Sequence, residues 1–471
     1  MTKLPSAMNE TGNRHAERLK QKARRISIRE GGAFGIFDGF GLRYIIPYAL
    51  LLQVSNAMIG ILVTVPQLIG NFAQLLTLQL LARGYQRKTI ASRSVLLQTS
   101  MWLPIVLLGV GYFGYGIQTG WIPWALVLFY SLMMIFGTSL GPAWSSWMGD
   151  IIPKEIGSYF GRRNRVVNLA SISSMLLAGL ILQSLARQAR PFAGFVIIFS
   201  VAFLGRLVSG LLLRRQYEPQ FVAQNEYFFT LGQFIRKIPQ SNFGKFVTYV
   251  ALMQLTTYIS APFFPVYMLR DLGFDYLHFT LVTMTLPFVS MLLMPAWGRF
   301  SDTYGNLKTV RICGLIIPFI PLLWSATAFF AGHRTLVLFY LFAVETLSGF
   351  AWAGFTLAST NFIYEAVTRQ RMAICVAYFN IFSGTGIFIG GLAGGQLASL
   401  PNHFNLFSNL ILVLLISAGL RLLVSVILLP LIREVRDVPD FGMQEARQRL
   451  AVLSAVELLR YLSLRSLNPR R

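Results

Sequence analysis

The chain has 471 residues, of which 55% are hydrophobic and 13% are charged, and its mean hydropathy is +0.58. An ordinary soluble domain carries about 25% charged residues, so this composition excludes a water-soluble protein of that kind. Lysine and arginine total 41 against 18 acidic residues. The basic residues cluster in alternate connections and in both tails, which is typical of cytoplasmic loops in a membrane protein, so no nucleic-acid partner is predicted.

Apolar runs long enough to cross a membrane recur along almost the whole chain. A hydrocarbon core of about 30 Å needs roughly 20 apolar residues per helix, and backbone groups in lipid must be satisfied within the helix. The runs predict an all-α polytopic membrane protein with about twelve transmembrane helices in two pseudo-symmetric six-helix bundles. The predicted spans are 32–53, 56–81, 94–116, 122–148, 166–187 and 191–213, then 246–269, 276–297, 309–331, 335–359, 374–398 and 405–431.

These spans divide the chain into five predicted regions. The basic connections fall on the same side as both basic tails, which predicts a multi-pass protein of the cell membrane with both termini in the cytoplasm. No cleaved signal peptide is expected. The regions are an N-terminal tail 1–30, a bundle 31–213, a linker 214–245 with an amphipathic segment at 227–237, a bundle 246–432, and a basic tail 433–471 with an amphipathic stretch at 446–464.

The first span carries two ionisable residues, and each is a candidate working residue because charge is costly in lipid. Asp38 lies about 12 Å into the helix, and Arg43 follows five residues later. Five residues turn a helix by about 140°, so the two are expected not to face each other. Asp38 is predicted as a protonation or cation site, or as part of a structural salt bridge, and Arg43 as a group that holds an anion or neutralises a carboxylate.

Polar and aromatic side chains on the first, fourth, seventh and tenth spans are candidates to line a central cavity. Tyr44 and Tyr48 are one turn apart and would share a face. Aromatic lining favours a partly apolar organic solute over a bare ion and, by the same argument, efflux over uptake; the alternative is that several of these residues are packing or interfacial aromatics. The candidates are Tyr44, Tyr48, Trp144, Trp147, Gln254, Tyr258 and Trp352.

The connection after the fourth span carries a basic cluster, Arg162, Arg163 and Arg165. The cluster either sets topology and contacts phospholipid or takes part in gating. Further on, Arg206 in GRLVSGLLL and Arg421 in RLLVSVILL form a weak internal repeat, which fits two parallel halves. These two arginines are predicted to snorkel or to pair structurally.

The connection between the eighth and ninth spans reads GRFSDTYGNLK, with Gly298, Asp302, Gly305 and Lys308 at characteristic spacing. This spacing resembles the loop motif of the major facilitator superfamily, and the resemblance extends over about residues 30–435. Residues 142–165 resemble a bacterial and archaeal branch whose substrates are mostly unassigned. The resemblance implies a two-bundle carrier that works by alternating access.

In that motif the acid would cap a neighbouring helix and hold a cytoplasmic gate shut. The alternative is an ordinary glycine turn with a solvated Asp302. The first-half connection has Leu78, Ala82 and Tyr85 where the motif has Gly, Asp and Gly. A symmetric pair of latches is therefore not expected.

Glu345 lies about 16 Å into the tenth span, near the membrane midplane. A carboxyl group held away from water favours its neutral form, so Glu345 is predicted to bind and release a proton as water access alternates. The alternative is a protonated or paired structural glutamate.

The sequence holds no nucleotide-binding loop, no metal-ligand spacing and no catalytic motif, so no cofactor, no metal and no enzyme activity are predicted. The predicted function is secondary active transport of a small organic solute, with proton coupling as a hypothesis, by a monomer that contacts membrane lipids. Two alternatives stay open: a non-transporting scaffold or lipid-handling protein, and an integral-membrane enzyme.

Overall fold

The computed structural model of the chain describes residues 4–152, 156–219, 230–330, 332–368, 371–400 and 408–438, and within them it contains helices and no strand. The predicted all-α polytopic class is confirmed. The first half comprises α1 (Leu4–Phe40), α2 (Ile45–Leu51), α3 (Asn56–Ala82), α4 (Arg87–Ser100), α5 (Trp102–Gly114), α6 (Ile122–Ile151), α7 (Ile156–Arg187) and α8 (Pro191–Arg215). After the connecting helix α9 (Leu231–Lys237), the second half comprises α10 (Asn242–Ser260), α11 (Phe264–Val266), α12 (Tyr276–Tyr304), α13 (Asn306–Ile316), α14 (Phe319–Ser325), α15 (Arg334–Ala366), α16 (Met372–Ser399) and α17 (Asn409–Leu428).

Eleven helical segments in the described ranges are long and apolar enough to cross a membrane. They correspond to every predicted span but the seventh, 246–269. That span falls on α10 and on an irregular continuation through a 3-10 turn, the short α11 and a π turn, where Pro262 and Pro265 interrupt the helix. The mean hydropathy of α10 is lowered by its polar side chains, which include Asn242, Lys245, Gln254, Thr256 and Thr257.

The first helix extends well beyond the first predicted span. It begins at Leu4 and runs to Phe40, through the segment predicted as a polar tail. It ends before Gly41, where a Cβ atom would collide with the Trp102 ring and the Phe37 carbonyl. The chain then makes a 3-10 turn, Leu42–Tyr44, before α2 begins. The first membrane crossing is therefore broken near its middle.

The same helix pairings occur in both halves. In the first half α1 packs on α7 and α8, α3 on α6, and α4 on α6. In the second half α10 packs on α16 and α17, α12 on α15, and α13 on α15. The repeated pattern relates the two halves by an approximate two-fold axis. Two seams join the halves: α3 packs along α16, and α7 packs along α12.

Two predicted amphipathic segments lie partly or wholly outside the described residues. Of the segment 227–237 the structure describes α9, whose Phe234 is buried against Phe243, Tyr378 and Phe382. The tail 433–471 is described as far as residue 438, so the stretch 446–464 lies outside the described residues.

Candidate functional site

The two faces of the helix bundle are distinguished by the chain segments they hold. We call the terminal face the one on which α1 begins and the segment after α17 lies. There Arg24 of α1 donates to the Ile151 carbonyl at the end of α6 at 3.1 Å, and Arg436 donates to the Ser301 carbonyl near the end of α12 at 2.7 Å. We call the opposite side the distal face.

Both seams between the halves are closed near the distal face. In the α3–α16 seam, Asn56 Nδ2 donates to the Ala398 carbonyl at 3.1 Å. Arg270 at the end of the π turn donates to Asn56 Oδ1 at 2.9 Å. In the α7–α12 seam, Gln183 Nε2 donates to Asp275 Oδ2 at 3.1 Å. The distal ends of the halves are thus linked by polar contacts on both sides.

The α3–α16 seam stays tight toward the middle of the bundle. A Cβ atom at Gly60 would collide with the Gly391 carbonyl, so the two backbones lie in direct contact. Further along, Asn71 donates to the Asn380 carbonyl at 3.0 Å, and Asn380 donates to Gln74 Oε1 at 3.2 Å. Beyond Gln74 the two helices leave a cavity between them at the terminal face.

Asp38 and Arg43 form an ion pair near the break in the first crossing. Arg43 Nη2 lies 3.3 Å from Asp38 Oδ2, and Ser171 Oγ on α7 donates to the same oxygen at 2.6 Å. The expectation that the two residues would not face each other was wrong. It assumed an unbroken helix, whereas the bend at Gly41 turns Arg43 back toward Asp38.

This ion pair belongs to the first half, and Tyr130 connects it to the second. The Asp38 side chain is 18% exposed and that of Arg43 is 42% exposed. Tyr130 on α6 lies within electrostatic range of Asp38, of Arg43 and of Tyr258 on α10. We call Asp38, Arg43, Tyr130, Ser171 and Tyr258 the central cluster, since it draws on three helices of the first half and one of the second.

Tyr44 and Tyr48 are both fully buried, so in this conformation they are packing residues. The Tyr44 hydroxyl donates to the Met175 carbonyl at 2.7 Å and lies 2.7 Å from Thr280 Oγ1 on α12. Tyr48 donates instead to the Ile105 carbonyl at 2.9 Å. Their predicted shared face is wrong, because Tyr44 belongs to the 3-10 turn and Tyr48 to α2, and the two side chains contact different helices.

Trp144 and Trp147 lie at the terminal end of α6. Trp147 is fully buried and donates to the Tyr217 carbonyl at 2.9 Å. Both contribute to a small separate core that includes Ala23 of α1. The Trp144 ring lies 4.5 Å from the Arg163 guanidinium. These two tryptophans therefore belong to the terminal face and not to the central cluster.

The basic cluster divides into one structural residue and two exposed ones. Arg163 pairs with Glu30 at 2.7 Å, whereas Arg162 and Arg165 are exposed. Glu30, assigned from the sequence to a polar tail, is 2% exposed. It also accepts a hydrogen bond from Ser209 at 2.8 Å, and Arg206 donates to that serine at 3.2 Å. Sequence reasoning missed Glu30 because the helix around it reads as charged.

Arg421, the counterpart of Arg206, contacts the end of α10. It donates to Ser260 Oγ at 2.7 Å and to the Thr257 carbonyl at 3.2 Å. The last carbonyl groups of a helix have no hydrogen-bond partner within the helix, and a cation beside them also interacts favourably with the negative end of the helix dipole. Arg421 thus stabilises the point at which the seventh crossing leaves regular helix.

The α12–α13 connection turns at Gly305, whose φ of +96° suits glycine. The acid that caps α13 is Glu434, which accepts a hydrogen bond from the Leu307 amide at 2.8 Å. The expectation that Asp302 would cap a helix here was wrong: Asp302 is exposed, and the start of α13 faces the segment after α17. Of the other motif residues, Gly298 lies within α12 and Lys308 is half-buried in α13.

The first half has an equivalent cap, although its connection lacks the motif. Glu218 accepts hydrogen bonds from the Arg87 amide at 2.9 Å and from the Lys88 amide at 3.3 Å, at the start of α4. Arg87 is 1% exposed and pairs with Asp150 at 2.7 Å. The two halves therefore share a cap made by Glu218 and by Glu434, whereas the expected lack of symmetry concerns the motif positions within the connections and stays a prediction. The signal lay outside the motif, in an acid that follows the last helix of each half: Glu218 comes three residues after α8 ends at Arg215, and Glu434 comes three residues after Leu431, the end of a 3-10 turn that continues α17.

Glu434→Ala and Glu218→Ala are each expected to lower the free energy of unfolding by about 0.5–2 kcal/mol, because each leaves helix N-terminal amides without an acceptor. Thermal unfolding of the purified protein in detergent measures the effect. Asp302→Ala is the matched control and should leave the unfolding midpoint unchanged. An equal loss in Asp302→Ala and Glu434→Ala would mean that Glu434 is not the cap.

Glu345 lies within the second half, apart from the central cluster. It is 9% exposed and accepts a hydrogen bond from Trp324 Nε1 at 3.0 Å. Trp324 in turn packs on Phe264 of α11, with ring centroids 4.7 Å apart. Within the described ranges the Trp324 indole is the hydrogen-bond partner of Glu345, and no cationic side chain forms an ion pair with it.

Two predicted cavity residues remain, Gln254 and Trp352. Gln254 is half-buried one turn before Tyr258, and Trp352 is half-buried against Phe355. Of the predicted residues the structure brings together Asp38, Arg43 and Tyr258. Ser171 and Tyr130 were missed, although Tyr130 meets the same criterion of a polar aromatic within a span. No group of three or more His, Cys, Asp or Glu side chains in the described ranges is placed to hold a metal ion.

Residues 246–466 match the sequence profile of the Major Facilitator Superfamily. No curated protein sequence matches this chain significantly. Among solved structures, a variant of the nucleoside transporter NupG superposes with a TM-score of 0.67 at 14% identity, covering 88% of this chain and 100% of that one. At such identities the likeness shows the fold alone.

Two states of a bacterial homologue of the iron transporter ferroportin also resemble this chain. The inward-facing state gives a TM-score of 0.65 at 13% identity, covering 88% of this chain and 98% of that one. The outward-facing state gives a TM-score of 0.53 at 14% identity, with the same coverage. The chain as a whole therefore superposes better on the inward-facing state than on the outward-facing one.

Proposed function

We propose that the chain is a multi-pass membrane transporter of the major facilitator superfamily and that it carries a small organic solute by alternating access. Its C-terminal half matches the superfamily profile, and its described fold is that of transporters and not of enzymes. The observation that carries the proposal is the central cluster, a partly exposed ion pair of the first half that Tyr130 connects to the second.

The seams support a rocking motion of the halves. Their contacts near the distal face are hydrogen bonds, close glycine contacts and two aromatic contacts, Tyr44 with Phe279 and Phe195 with Tyr276, and a rocking motion would separate them. At the terminal face the α3–α16 seam is already parted. Alternating access also requires a second conformation, in which the contacts near the distal face are broken and the ends of α3 and α16 at the terminal face are in contact.

The terminal face is proposed to be cytoplasmic, because exposed basic residues such as Arg83, Arg162 and Arg165 lie there. The structure then corresponds to an inward-open state. The higher TM-score with the inward-facing ferroportin homologue, 0.65 against 0.53, supports this assignment. The membrane would be the cell membrane, and the monomeric state stays a prediction.

The central cluster favours a solute with both a polar and an apolar part. A guanidinium beside a carboxylate offers hydrogen bonds to either charge, and two tyrosines add aromatic surface and hydroxyl groups. We propose Glu345 as a separate proton site, since it lacks a cationic partner. A proton site that is distinct from the solute site permits proton-coupled transport. Efflux is the direction to test first.

Proteoliposomes that contain the purified full-length protein test the proposal. Radiolabelled amphipathic amines, nucleosides, amino acids and organic acids would be offered in counterflow, together with a trapped pH dye. Movement of a solute that saturates and that Arg43→Gln reduces supports a carrier that uses the central cluster. Folded protein that moves no solute in either direction favours the alternative of a non-transporting scaffold.

Thr280→Val is expected to favour the distal-open state by about two- to ten-fold, because it removes a neutral hydrogen-bond partner of Tyr44 across the α7–α12 seam. Distances between spin labels on the distal ends of α7 and α12 measure the two populations. Thr285→Val is the matched control, since the Thr285 hydroxyl donates to its own helix at Leu281. Identical distance distributions in both variants would contradict a closing role for the Tyr44 contact.

A further inference from the structure

The terminal ends of α3 and α16 leave a groove of about 520 Å³, which lies within the range of small-molecule sites. Most of its lining is apolar and comes from both halves and from α9: Leu75, Leu78, Leu231, Ile374 and Ile381. Phe72 also lines it and is 46% exposed, and Leu76 beside it is 60% exposed. The groove therefore opens sideways, toward the lipid that surrounds the bundle.

The polar end of the groove is cationic. Arg83 and Gln79 line it, and both are exposed. The Arg83 guanidinium forms no hydrogen bond or ion pair with another residue of the described ranges. Arg83 follows Leu75 by eight residues, which is about 12 Å along the helix axis. The charge thus lies at the membrane surface while the apolar lining lies at the depth of the hydrocarbon.

The connecting helix α9 adds to both properties. Its first residue, Leu231, lines the groove. Phe234 fixes the helix to α16 through Tyr378 and Phe382. Arg236 and Lys237, in its last turn, are exposed. An apolar slot with the Arg83 cation at its surface end has the polarity of a phospholipid, with the anionic headgroup outermost.

We propose that this groove binds one anionic phospholipid of the leaflet at the terminal face, with an acyl chain between α3 and α16 and the phosphate beside Arg83. An acyl chain in this position would hold the terminal ends of α3 and α16 apart. On the proposed alternating-access function, the lipid stabilises the terminal-open state and must leave the groove before the terminal face closes.

Native mass spectrometry of the delipidated full-length protein, titrated with phosphatidylglycerol or with phosphatidylcholine, tests the site. The unaltered protein should retain one phosphatidylglycerol about five-fold more tightly than phosphatidylcholine, as one favourable charge contact provides. Arg83→Gln should lose this preference and Arg83→Lys should keep it. Leu78→Trp, which fills the groove, should weaken retention of both lipids.

Arg162→Gln is the matched control, because Arg162 is an exposed cation outside the groove. It should leave the preference unchanged. Equal preference in Arg83→Gln and in the unaltered protein would overturn the proposal, as would glycerol phosphate without an acyl chain competing as well as the lipid does. The measurement records binding and not transport, so its failure is distinct from failure of the transport proposal.

Discussion

Transport by Asp38→Asn is expected to fall about ten-fold or more below that of the unaltered protein, because the change leaves the Arg43 guanidinium beside a neutral amide. Solvent screening limits the effect, since the Arg43 side chain is 42% exposed. Asparagine keeps an oxygen to accept the Ser171 hydrogen bond, so the junction of α1 and α7 is preserved. Initial rates in proteoliposomes with matched protein content give the measurement.

The double variant Asp38→Asn with Arg43→Gln separates a working role from a structural one. If the pair only locks α1 in its bent form, removal of both charges should restore transport and the unfolding midpoint together. If the pair binds solute, the double variant should remain inactive although it is folded. Ser171→Ala is the milder control and should cost about two- to ten-fold, as expected for one hydrogen bond. Recovery in the double variant would contradict a role in solute binding.

Glu345→Gln is expected to abolish solute-dependent proton movement while solute exchange continues within about two-fold. The carboxyl group is the only titratable part that the change removes, and glutamine keeps an oxygen to accept the Trp324 indole hydrogen bond. A trapped pH dye and a labelled solute, followed in the same proteoliposomes, separate proton movement from solute movement. Exchange without proton movement would place the proton on Glu345.

Glu365→Gln provides a matched control on the same helix. Glu365 pairs with Arg436 at 2.9 Å near the terminal face, away from Trp324. It should retain coupled proton movement. If Glu345→Gln also retains it, Glu345 is a structural carboxyl group and the proton is carried elsewhere or not at all.

The positions of most crossings were predictable because the thickness of the hydrocarbon core sets the length of the apolar run that crosses it. The seventh crossing illustrates the limit of that signal. α10 lies against α16 and α17 and carries several hydroxyl and amide side chains, so its hydropathy is lower than that of helices with more lipid contact. The extension of α1 back into the segment 1–30 was not predicted either, because this segment is charged and is held by Arg24, Glu30 and a small core at the terminal face.

The candidate site was less predictable than the fold. Helical periodicity separates Asp38 from Arg43 by about 140°, and the bend at Gly41 is what brings them together. The helix caps show the same limit. A local motif directs attention to Asp302, whereas Glu434 reaches the helix from more than a hundred residues further along the chain. Such contacts depend on tertiary packing, so the spacing of residues within one connection does not predict them.

Glu218 and Glu434 each connect the chain just after the last helix of one half to the start of a helix in the same half. Each of these capping hydrogen bonds joins two segments of the same half, and neither of them involves a residue of the other half. On the proposed alternating-access function, these contacts favour movement of each half as one rigid body, with the changes in contact at the seams. The same autonomy means that each half contains the contacts that complete its own fold, as expected if an ancestral single bundle was duplicated and fused.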